Sequence, residues 1–204
     1  MLCKTALPDG IQKNMMDISE NHTIIYDKNV IDFVTVGVEF CAFLEEETQL
    51  TRREWIDKML KILPLLYVKA SLLPETVAMH QEEIATFVKE EDYARVALRV
   101  EEMMGEENTF LEVFMEEMKY SDTPVSAFVS ECIADIYQDI RDLVSIYQFE
   151  LTEQMNDALY RCMEHFHTYW GQRLVNVLRP LHAINSRQWQ VSDEDVFNEE
   201  EPWI

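Results

Sequence analysis

Hydrophobic residues recur every three or four positions along most of this 204-residue chain, which places them on one face of an α-helix. The clearest run follows Thr123-Pro124 and continues to Tyr147, with Thr123 as the expected cap and Pro124 at the first helical position. Similar runs extend from about residue 28 to 46 and from 90 to 104. No segment alternates convincingly between polar and apolar residues, so the pattern predicts helices and no strand.

Local signals set the limits of a second helix. Thr51-Arg52-Arg53-Glu54 has the spacing of a capping box, in which the hydroxyl and the carboxylate each satisfy a backbone N–H. The helix should end at Leu73-Pro74, and Pro64 inside it predicts a kink. Gly37, in the middle of the preceding helix, costs stability unless a neighbouring backbone packs closely there.

The C-terminal half predicts two antiparallel helices. The last helix should run from about residue 153 to 179, and Pro180 should end or bend it. Because only a few residues around Phe149-Glu150-Leu151-Thr152 separate it from the helix before, the two should be antiparallel neighbours. Two stretches are ambiguous. Residues 75–88 fit either a helix or an irregular crossing, and residues 106–120 fit a short, uncertain helix.

These elements predict an all-α fold, a single helical bundle of about six or seven helices. We expect a poorly ordered segment at 1–27, the all-α domain at 28–185, and an acidic-aromatic tail at 186–204. Met15 and Met16 leave the true start codon open. The tail carries acids and aromatic residues without helical spacing, a composition suited to docking on a basic, apolar groove: Trp189, Asp193, Glu194, Asp195, Phe197, Glu199, Glu200, Glu201 and Trp203.

Composition narrows the possible partners. Thirty-nine acids against 17 Lys and Arg give a formal charge of −22, which repels nucleic acid and anionic lipid and attracts basic proteins or divalent cations. The four cysteines form no C-x-x-C pair, and three lie in apolar helical patterns, as expected for thiols of a reducing cytoplasm. The N-terminus lacks the apolar core of a signal peptide, and the most apolar stretch, 30–44, is too short to span a bilayer.

An acidic stripe on the helix after Thr123 is the main candidate for chemistry. Its four acids fall within an arc of roughly 80° at about 100° per residue, and they are Glu131, Asp135, Asp139 and Asp142. Carboxylates four residues apart can share Mg²⁺ or Mn²⁺, and Glu131, Asp135 and Asp139 are weak candidates for such ligands. All-helical nucleotide pyrophosphatases use a different spacing, Glu-x-x-Glu, so the match is poor. The stripe lies beside the apolar face, and the face expected farthest from the core carries Ala134, Gln138, Arg141 and Ser145.

The stripe can instead be explained by an ion pair with an arginine on the last helix. Arg173 falls near the centre of the apolar face of the last helix, where a charge needs a counter-ion. We expect Arg173 to pair with Asp135 or Asp139 and favour this interpretation over a metal site. Three aromatic residues are candidates for a pocket nearby: Tyr137, Tyr169 and Trp170.

Other catalytic patterns are weak. Glu164-x-x-His167 is half of a ferritin-like di-iron signature, and no second half exists in the chain. Cys162 lies three residues before His165, with Cys132 on the neighbouring helix, but a cysteine in an apolar stripe is inert without an electropositive setting. We therefore predict no catalytic residue and no cofactor.

Several segments together carry a resemblance to a known family. They are Ala134-Asp135-Ile136-Tyr137-Gln138-Asp139, Tyr169-Trp170-Gly171 and Leu178-Arg179-Pro180-Leu181-His182, with Phe40–Leu44, Leu63–Tyr67, Leu72–Pro74 and Met118–Asp122. The chain resembles, over roughly residues 28–185, a bacterial all-helical domain family of unknown function common in Bacteroidales. The resemblance implies a helical domain and brings no established activity. More distant members have His-Trp-Gly where this chain has Tyr169-Trp170-Gly171, so a histidine ligand there would be missing.

Two functions from different classes follow. The favoured one is a cytoplasmic, non-enzymatic interaction or scaffold domain that engages a basic protein partner or associates with itself. The alternative is a divalent-metal-dependent hydrolase of a phosphorylated small molecule, with Glu131, Asp135 and Asp139 as ligands and Arg173 steadying phosphate.

Overall fold

A computed structural model describes residues 24–47, 49–80, 83–112 and 125–197, with side chains as far as Arg187. Six α-helices lie within these residues: α1 (Lys28–Glu45), α2 (Arg52–Ser71), α3 (Glu90–Met104), α4 (Val129–Gln148), α5 (Thr152–His165) and α6 (Gly171–Phe197). A 3₁₀ turn (Gly105–Asn108) follows α3, and a π-helical turn (Phe166–Trp170) joins α5 to α6. The prediction of a mostly all-α fold is confirmed.

A small antiparallel sheet corrects the prediction that the chain contains no strand. β1 (Thr109–Glu112) pairs with β2 (Val125–Phe128), from Thr109 opposite Phe128 to Glu112 opposite Val125. Each strand has four residues, too few to show a period-2 pattern, and only pairing with the other satisfies its backbone.

Because of the sheet, two helix boundaries differ from those predicted. The prediction of a helix over residues 106–120 is wrong for residues 106–112, which form the 3₁₀ turn and β1. Residues 113–120 lie outside the described residues. α4 begins at Val129, about five residues later than the Thr123-Pro124 signal indicated, and that signal itself lies outside the described residues.

α4 occupies the centre of the fold, packed against α1, α3, α5 and α6. Ala134 and Ser145, expected on the face farthest from the core, are buried, with exposed fractions of 0% and 2%. The prediction assumed one apolar face, but neighbours on several sides leave little of this helix in water. The Ser145 hydroxyl compensates for its burial by donating to the Arg141 carbonyl at 2.8 Å.

Gly37 allows α1 to approach α4 closely. A Cβ atom at this position would lie 3.0 Å from Ile140 Cγ2 and from Val144 Cγ2, closer than ordinary van der Waals contact. The close packing explains why a residue with poor helix propensity lies in the middle of α1.

The starts of α1 and α2 follow local chemistry. The Asp27 side chain accepts from Asn29 N at 2.8 Å, and the predicted capping box forms between Thr51 and Glu54. Ile25, inside the segment expected to be poorly ordered, is buried, and its carbonyl accepts from the Tyr147 hydroxyl at 3.0 Å. Ordered packing therefore begins before Lys28, and residues 1–23 lie outside the described residues.

Both helical prolines lie inside continuous helices. α2 continues past Pro64 to Ser71, and α6 continues past Pro180 to Phe197. The expected end of the last helix at Arg179 is wrong because Leu181 and Ile184, beyond the proline, are packed in the core. The same helix carries the backbone through most of the predicted tail, of which residues 198–204 lie outside the described residues. Among the described residues, no helix is both long enough and apolar enough to cross a membrane.

The π-helical turn depends on Gly171. A Cβ atom there would lie 2.2 Å from the Phe166 carbonyl oxygen, so a side chain would collide with the backbone of the turn itself. The turn directs Trp170 into the core, where it is fully buried and its Nε1–H donates to the Cys162 carbonyl at 3.0 Å. The Trp170 ring packs 4.7 Å from the ring of Phe166 and 6.4 Å from that of Phe33.

Substitution Gly171→Ala should lower the free energy of unfolding by about 1–3 kcal/mol, because the new methyl group overpacks a site bounded by backbone. Chemical denaturation measures this change. Arg179→Ala, at an exposed position of the same helix, is the control and should change stability by less than about 0.5 kcal/mol. Equal stability of Gly171→Ala and the wild type would show that the π-helical turn relaxes without cost.

Candidate functional site

The acids of the predicted stripe have different partners in the fold. Asp135 faces α3 and α6, Asp139 faces α5, and Asp142 faces the chain that enters α3. Glu131 is exposed. Spacing on one helix face therefore does not bring these carboxylates together at one ligand.

Arg173 lies between two carboxylates, one of which was expected. Its Nε is 3.4 Å from Asp135 Oδ2, and one of its terminal nitrogens is 3.3 Å from Glu112 Oε1. Asn176 also donates to Glu112 Oε1, at 2.8 Å, and the Tyr93 hydroxyl donates to Asp135 Oδ1 at 2.9 Å. This group joins α3, α4, β1 and α6, and we call it the Arg173 network.

Glu112 is the member of the network that the sequence did not reveal. Its side chain is only 5% exposed, against 30% for Arg173, although it lies in a strand with no strong strand pattern. A buried carboxylate requires paired charge or hydrogen bonds, and Arg173 and Asn176 supply both. A single acid at an unassigned position gives no signal that distinguishes it from the other 38 acids of the chain.

The ionisable neighbours of the network are held in their neutral forms. Burial, followed by the hydrogen bond to Asp135, raises the pKa of Tyr93 well above its usual value. The same two causes raise the pKa of Tyr169, whose ring lies 5.4 Å from the Arg173 guanidinium. Burial raises the pKa of Cys132 to about 12, so this thiol is protonated at neutral pH and is a poor nucleophile. The network holds four elements together, and the Cys132 thiol beside it is not activated as a nucleophile.

The other two partly buried acids of the stripe, Asp139 and Asp142, bind protein groups. Asp139 Oδ1 is 2.6 Å from His165 Nδ1, and burial raises the pKa of Asp139 although His165 opposes the shift. Asp142 accepts from the backbone N–H groups of Phe87 and Val88, at 2.6 and 2.9 Å. Among the described residues, no group of three or more His, Cys, Asp or Glu side chains is arranged to hold a metal ion. The geometry thus gives no support to a cation shared by Glu131, Asp135 and Asp139.

The three candidate pocket aromatics lie in different places. Tyr137 faces α1, where its hydroxyl donates to Glu45 Oε1 at 2.8 Å beside the Glu45–Arg141 ion pair. Trp170 is in the core, and Tyr169 is 42% exposed beside Arg173. They do not form one pocket, because α4 separates the surroundings of Tyr137 from those of Tyr169.

The weaker catalytic patterns also separate in the fold. Glu164 and His167 are both exposed, and nothing nearby completes a di-iron site among the described residues. Cys162 is buried, and burial raises the pKa of its thiol. His165 is turned towards Asp139.

Polar residues of α5 hold the irregular crossing between α2 and α3. Asp157 accepts from Met79 N at 2.6 Å and His80 N at 3.1 Å, while Asn156 donates to the Val77 carbonyl at 2.8 Å. Although burial favours protonation, these hydrogen bonds and the His80 side chain hold the pKa of Asp157 below its usual value. The ambiguous stretch 75–88 is therefore the irregular alternative, apart from Gln81 and Glu82, which lie outside the described residues.

A cleft of about 610 Å³ lies where the end of α1, the start of α2 and the end of α3 meet. Its lining combines an apolar floor with charged residues: Phe43, Leu44, Trp55, Val100 and Met103 with Glu46, Glu47, Arg52, Arg99 and Glu102. The rings of Phe43 and Trp55 stack with their centroids 6.2 Å apart. We call this the α1–α3 cleft.

The two arginines of the cleft are engaged by helix ends. Arg99 donates to the carbonyls of Leu44 and Glu45 at the end of α1, and Arg52 Nε donates to the Met103 carbonyl at 2.8 Å. Cations in this position satisfy the terminal carbonyls and the negative end of the helix dipole. The exposed rim carries the acids Glu46, Glu47 and Glu102, and Glu47 Oε1 lies 3.7 Å from a terminal nitrogen of Arg99. The acidic run at the end of α1 was a partial signal for this cleft in the sequence. That three helix ends meet there could be seen only in the folded structure.

Substitution Asp135→Asn should lower the free energy of unfolding by about 1–3 kcal/mol, because Arg173 and Tyr93 lose a charged acceptor while Glu112 still pairs with Arg173. The loss should be the same with EDTA, Mg²⁺ or Mn²⁺ in chemical denaturation. Glu131→Gln, on the exposed part of the same helix, should change stability by less than about 0.5 kcal/mol. A metal-dependent gain in the wild type that disappears in Asp135→Asn would restore the cation site.

Asp139 should give the fold a measurable pH dependence. Its folded pKa lies above the unfolded value, so its stabilising contribution is complete below the ordinary value of 3.8 and is lost as pH rises through the raised folded pKa. Asp139→Asn stays neutral throughout. The free energy of unfolding of the wild type should therefore fall relative to that of Asp139→Asn as pH rises from below 3.8 towards neutrality.

Denaturation at a series of pH values tests this difference. Glu131→Gln, in which an exposed acid is neutralised, serves as the comparison and should run nearly parallel to the wild type. A wild-type free energy of unfolding that rises relative to that of Asp139→Asn as pH increases would mean that the His165 contact outweighs burial.

Comparisons with known proteins agree with this fold. The family model described as a domain of unknown function, DUF5063, matches residues 24–187. The chain is similar to the crystal structure of protein BF1032 from Bacteroides fragilis, with 43% identity, coverage of 79% of this chain and 94% of that chain, and a TM-score of 0.70. No curated protein matches. The chain therefore belongs to the DUF5063 family, whose function is unknown.

Proposed function

We propose that this domain is a non-enzymatic protein-interaction module and that the α1–α3 cleft binds a basic, partly apolar segment of a partner protein. The observation that carries the proposal is the combination of a stacked aromatic floor with an acidic rim in the same cleft. A peptide that inserts an apolar side chain between flanking Lys or Arg residues matches both features.

Charge supports a basic partner. The net charge of −22 favours encounter with cations and opposes nucleic acid and anionic membranes at long range. At the cleft, Arg52 and Arg99 donate to helix carbonyls, and Arg99 also lies 3.7 Å from Glu47. Three exposed acids, Glu46, Glu47 and Glu102, against these two arginines leave the rim with a net negative charge. A volume of about 610 Å³ is within the range of ligand pockets and accommodates a few side chains.

The acids on α4 favour this function over hydrolysis. A metal-dependent hydrolase of a phosphorylated small molecule would need Glu131, Asp135 and Asp139 at one cation, whereas two of them bind Arg173 and His165 and the third is exposed. Arg173, already between Asp135 and Glu112, is also a poor phosphate ligand. These contacts support a structural role for the stripe.

The proposed setting is the cytoplasm of a bacterium, with Bacteroidales as the proposed group. The described cysteines Cys41, Cys132 and Cys162 are free and buried, as suits a reducing compartment. The similarity to a Bacteroides fragilis protein supports the bacterial origin.

A synthetic peptide with Leu and Phe between Lys and Arg residues tests the proposal. It should bind the wild type, perturb the NMR signals of Phe43 and Arg99, and bind more weakly as salt rises. The double substitution Glu47→Lys with Glu102→Lys should weaken binding about tenfold or more through like-charge repulsion at the rim. Isothermal titration calorimetry measures both affinities.

Glu75→Lys is the matched control, since it reverses one exposed acid beyond the other end of α2 and should leave the affinity almost unchanged. A second peptide with Glu in place of Lys and Arg should not bind. The proposal is wrong if the acidic peptide binds equally well, or if the NMR signals that move lie away from the cleft.

A further inference from the structure

α2 has an apolar outer face in its C-terminal half. Leu65, Val68 and Leu72 repeat at helical spacing and are 46%, 50% and 51% exposed. The other side of the same half packs Leu63, Leu66 and Ala70 into the core. We call the exposed residues the α2 stripe, and a stripe of this kind on a helix commonly marks an interaction surface.

The charge of α2 differs from that of the rest of the protein. The helix carries five basic and two acidic residues, although the chain as a whole has a charge of −22. Arg52 is engaged by the Met103 carbonyl and Lys69 by Asp32. Arg53, Lys58 and Lys61 are exposed on the N-terminal side of the stripe. Lys61 pairs at 2.6 Å with Asp57 on the surface, and Lys58 lies 5.5 Å from the centre of the Phe43 ring. An apolar surface next to exposed cations suits an occupant that is both apolar and acidic.

The chain itself contains such a segment. Residues 198–204 read Asn-Glu-Glu-Glu-Pro-Trp-Ile, so three acids precede Trp203 and Ile204. The acids match the exposed cations of α2, and Trp203 supplies a large apolar surface for the stripe.

The distance that the chain can span after Arg187 determines whether this segment can contact α2 of its own copy or only that of another. α6 runs antiparallel to α2: the Phe166 ring, just before α6, lies 5.1 Å from the Tyr67 ring, and Arg187 pairs at 2.8 Å with Glu107 in the 3₁₀ turn. That turn lies next to the start of α2, because Arg52 borders the space beside Gly105. The ten residues from Arg187 to Phe197 carry the helix about 15 Å further on.

The residues after Phe197 are too few to run back from the end of α6 to the α2 stripe of the same chain. Six residues from Phe197 to Trp203 span at most about 20 Å, which brings Trp203 only about 5 Å back past the level of Arg187. Val68 lies 16 residues into α2 from Arg52, a further distance of about 24 Å. The α2 stripe of the same chain is out of reach while α6 keeps its observed length.

We propose that residues 198–204 of one copy dock on the α2 stripe of a second copy, with Trp203 against Leu65, Val68 and Leu72. Reciprocal exchange by two copies gives a closed two-fold dimer. This proposal is independent of the α1–α3 cleft, which lies at the other end of α2.

Light scattering on the full chain over a range of concentrations tests the dimer. Val68→Asp and Trp203→Ala should each raise the dimer dissociation constant about tenfold or more. Leu98→Asp, which places the same charge at an equally exposed leucine of α3, is the control and should not change it. A wild-type chain that is monomeric at every concentration, or a dimer indifferent to Val68→Asp, overturns the proposal.

Cross-linking between copies shows which α2 is occupied. A photo-reactive amino acid replaces Trp203 in ¹⁴N protein. This protein is mixed with ¹⁵N wild-type protein, which lacks the photo-reactive residue, and the mixture is illuminated and analysed by mass spectrometry. Cross-links from position 203 of the light chain to heavy peptides containing Leu65 and Val68 are expected. Cross-links confined to light peptides would place the segment on its own chain, and cross-links outside α2 would reject the stripe as its site.

Discussion

The burial of α4 on several sides is the constraint on which the rest of the structure depends. This helix packs against α1, α3, α5 and α6, so most of its polar side chains leave water when the domain folds. Buried polar groups are stable only with partners, and each neighbouring element supplies one. Glu45 of α1 accepts from Tyr137, Tyr93 of α3 and Arg173 of α6 bind Asp135, and His165 of α5 binds Asp139.

The same requirement explains the irregular parts of the fold. The crossing between α2 and α3 has no helix or sheet to satisfy its backbone, and Asp142, Asn156 and Asp157 accept or donate the missing hydrogen bonds. The π-helical turn orients Trp170 to the core and Tyr169 to Arg173, and Gly171 makes room for the carbonyl of that turn. Three of the four stripe acids, Asp135, Asp139 and Asp142, therefore link α4 to neighbouring elements.

With the core acids engaged, interaction with other molecules falls to the surface. The α1–α3 cleft and the α2 stripe lie towards opposite ends of α2, the first with exposed acids at its rim and the second beside exposed cations. The two binding events that we propose, of a basic segment at the cleft and an acidic segment at the stripe, would therefore use separate surfaces.

Hydrophobic periodicity and capping chemistry, which act over a few residues, were enough to predict the helical fold and the Thr51–Glu54 capping box. Local pattern also indicated that Arg173 needs a carboxylate partner. It did not reveal Glu112, the two short strands or the separation of Tyr137 from Tyr169, because these depend on residues far apart in the chain. The sequence by itself determined which segments form helices with an apolar face to bury, but not that α4 would also bury Ala134 and Ser145 on its other side. Only the tertiary structure decided which partner each buried charge meets, since that choice depends on how several helices surround α4.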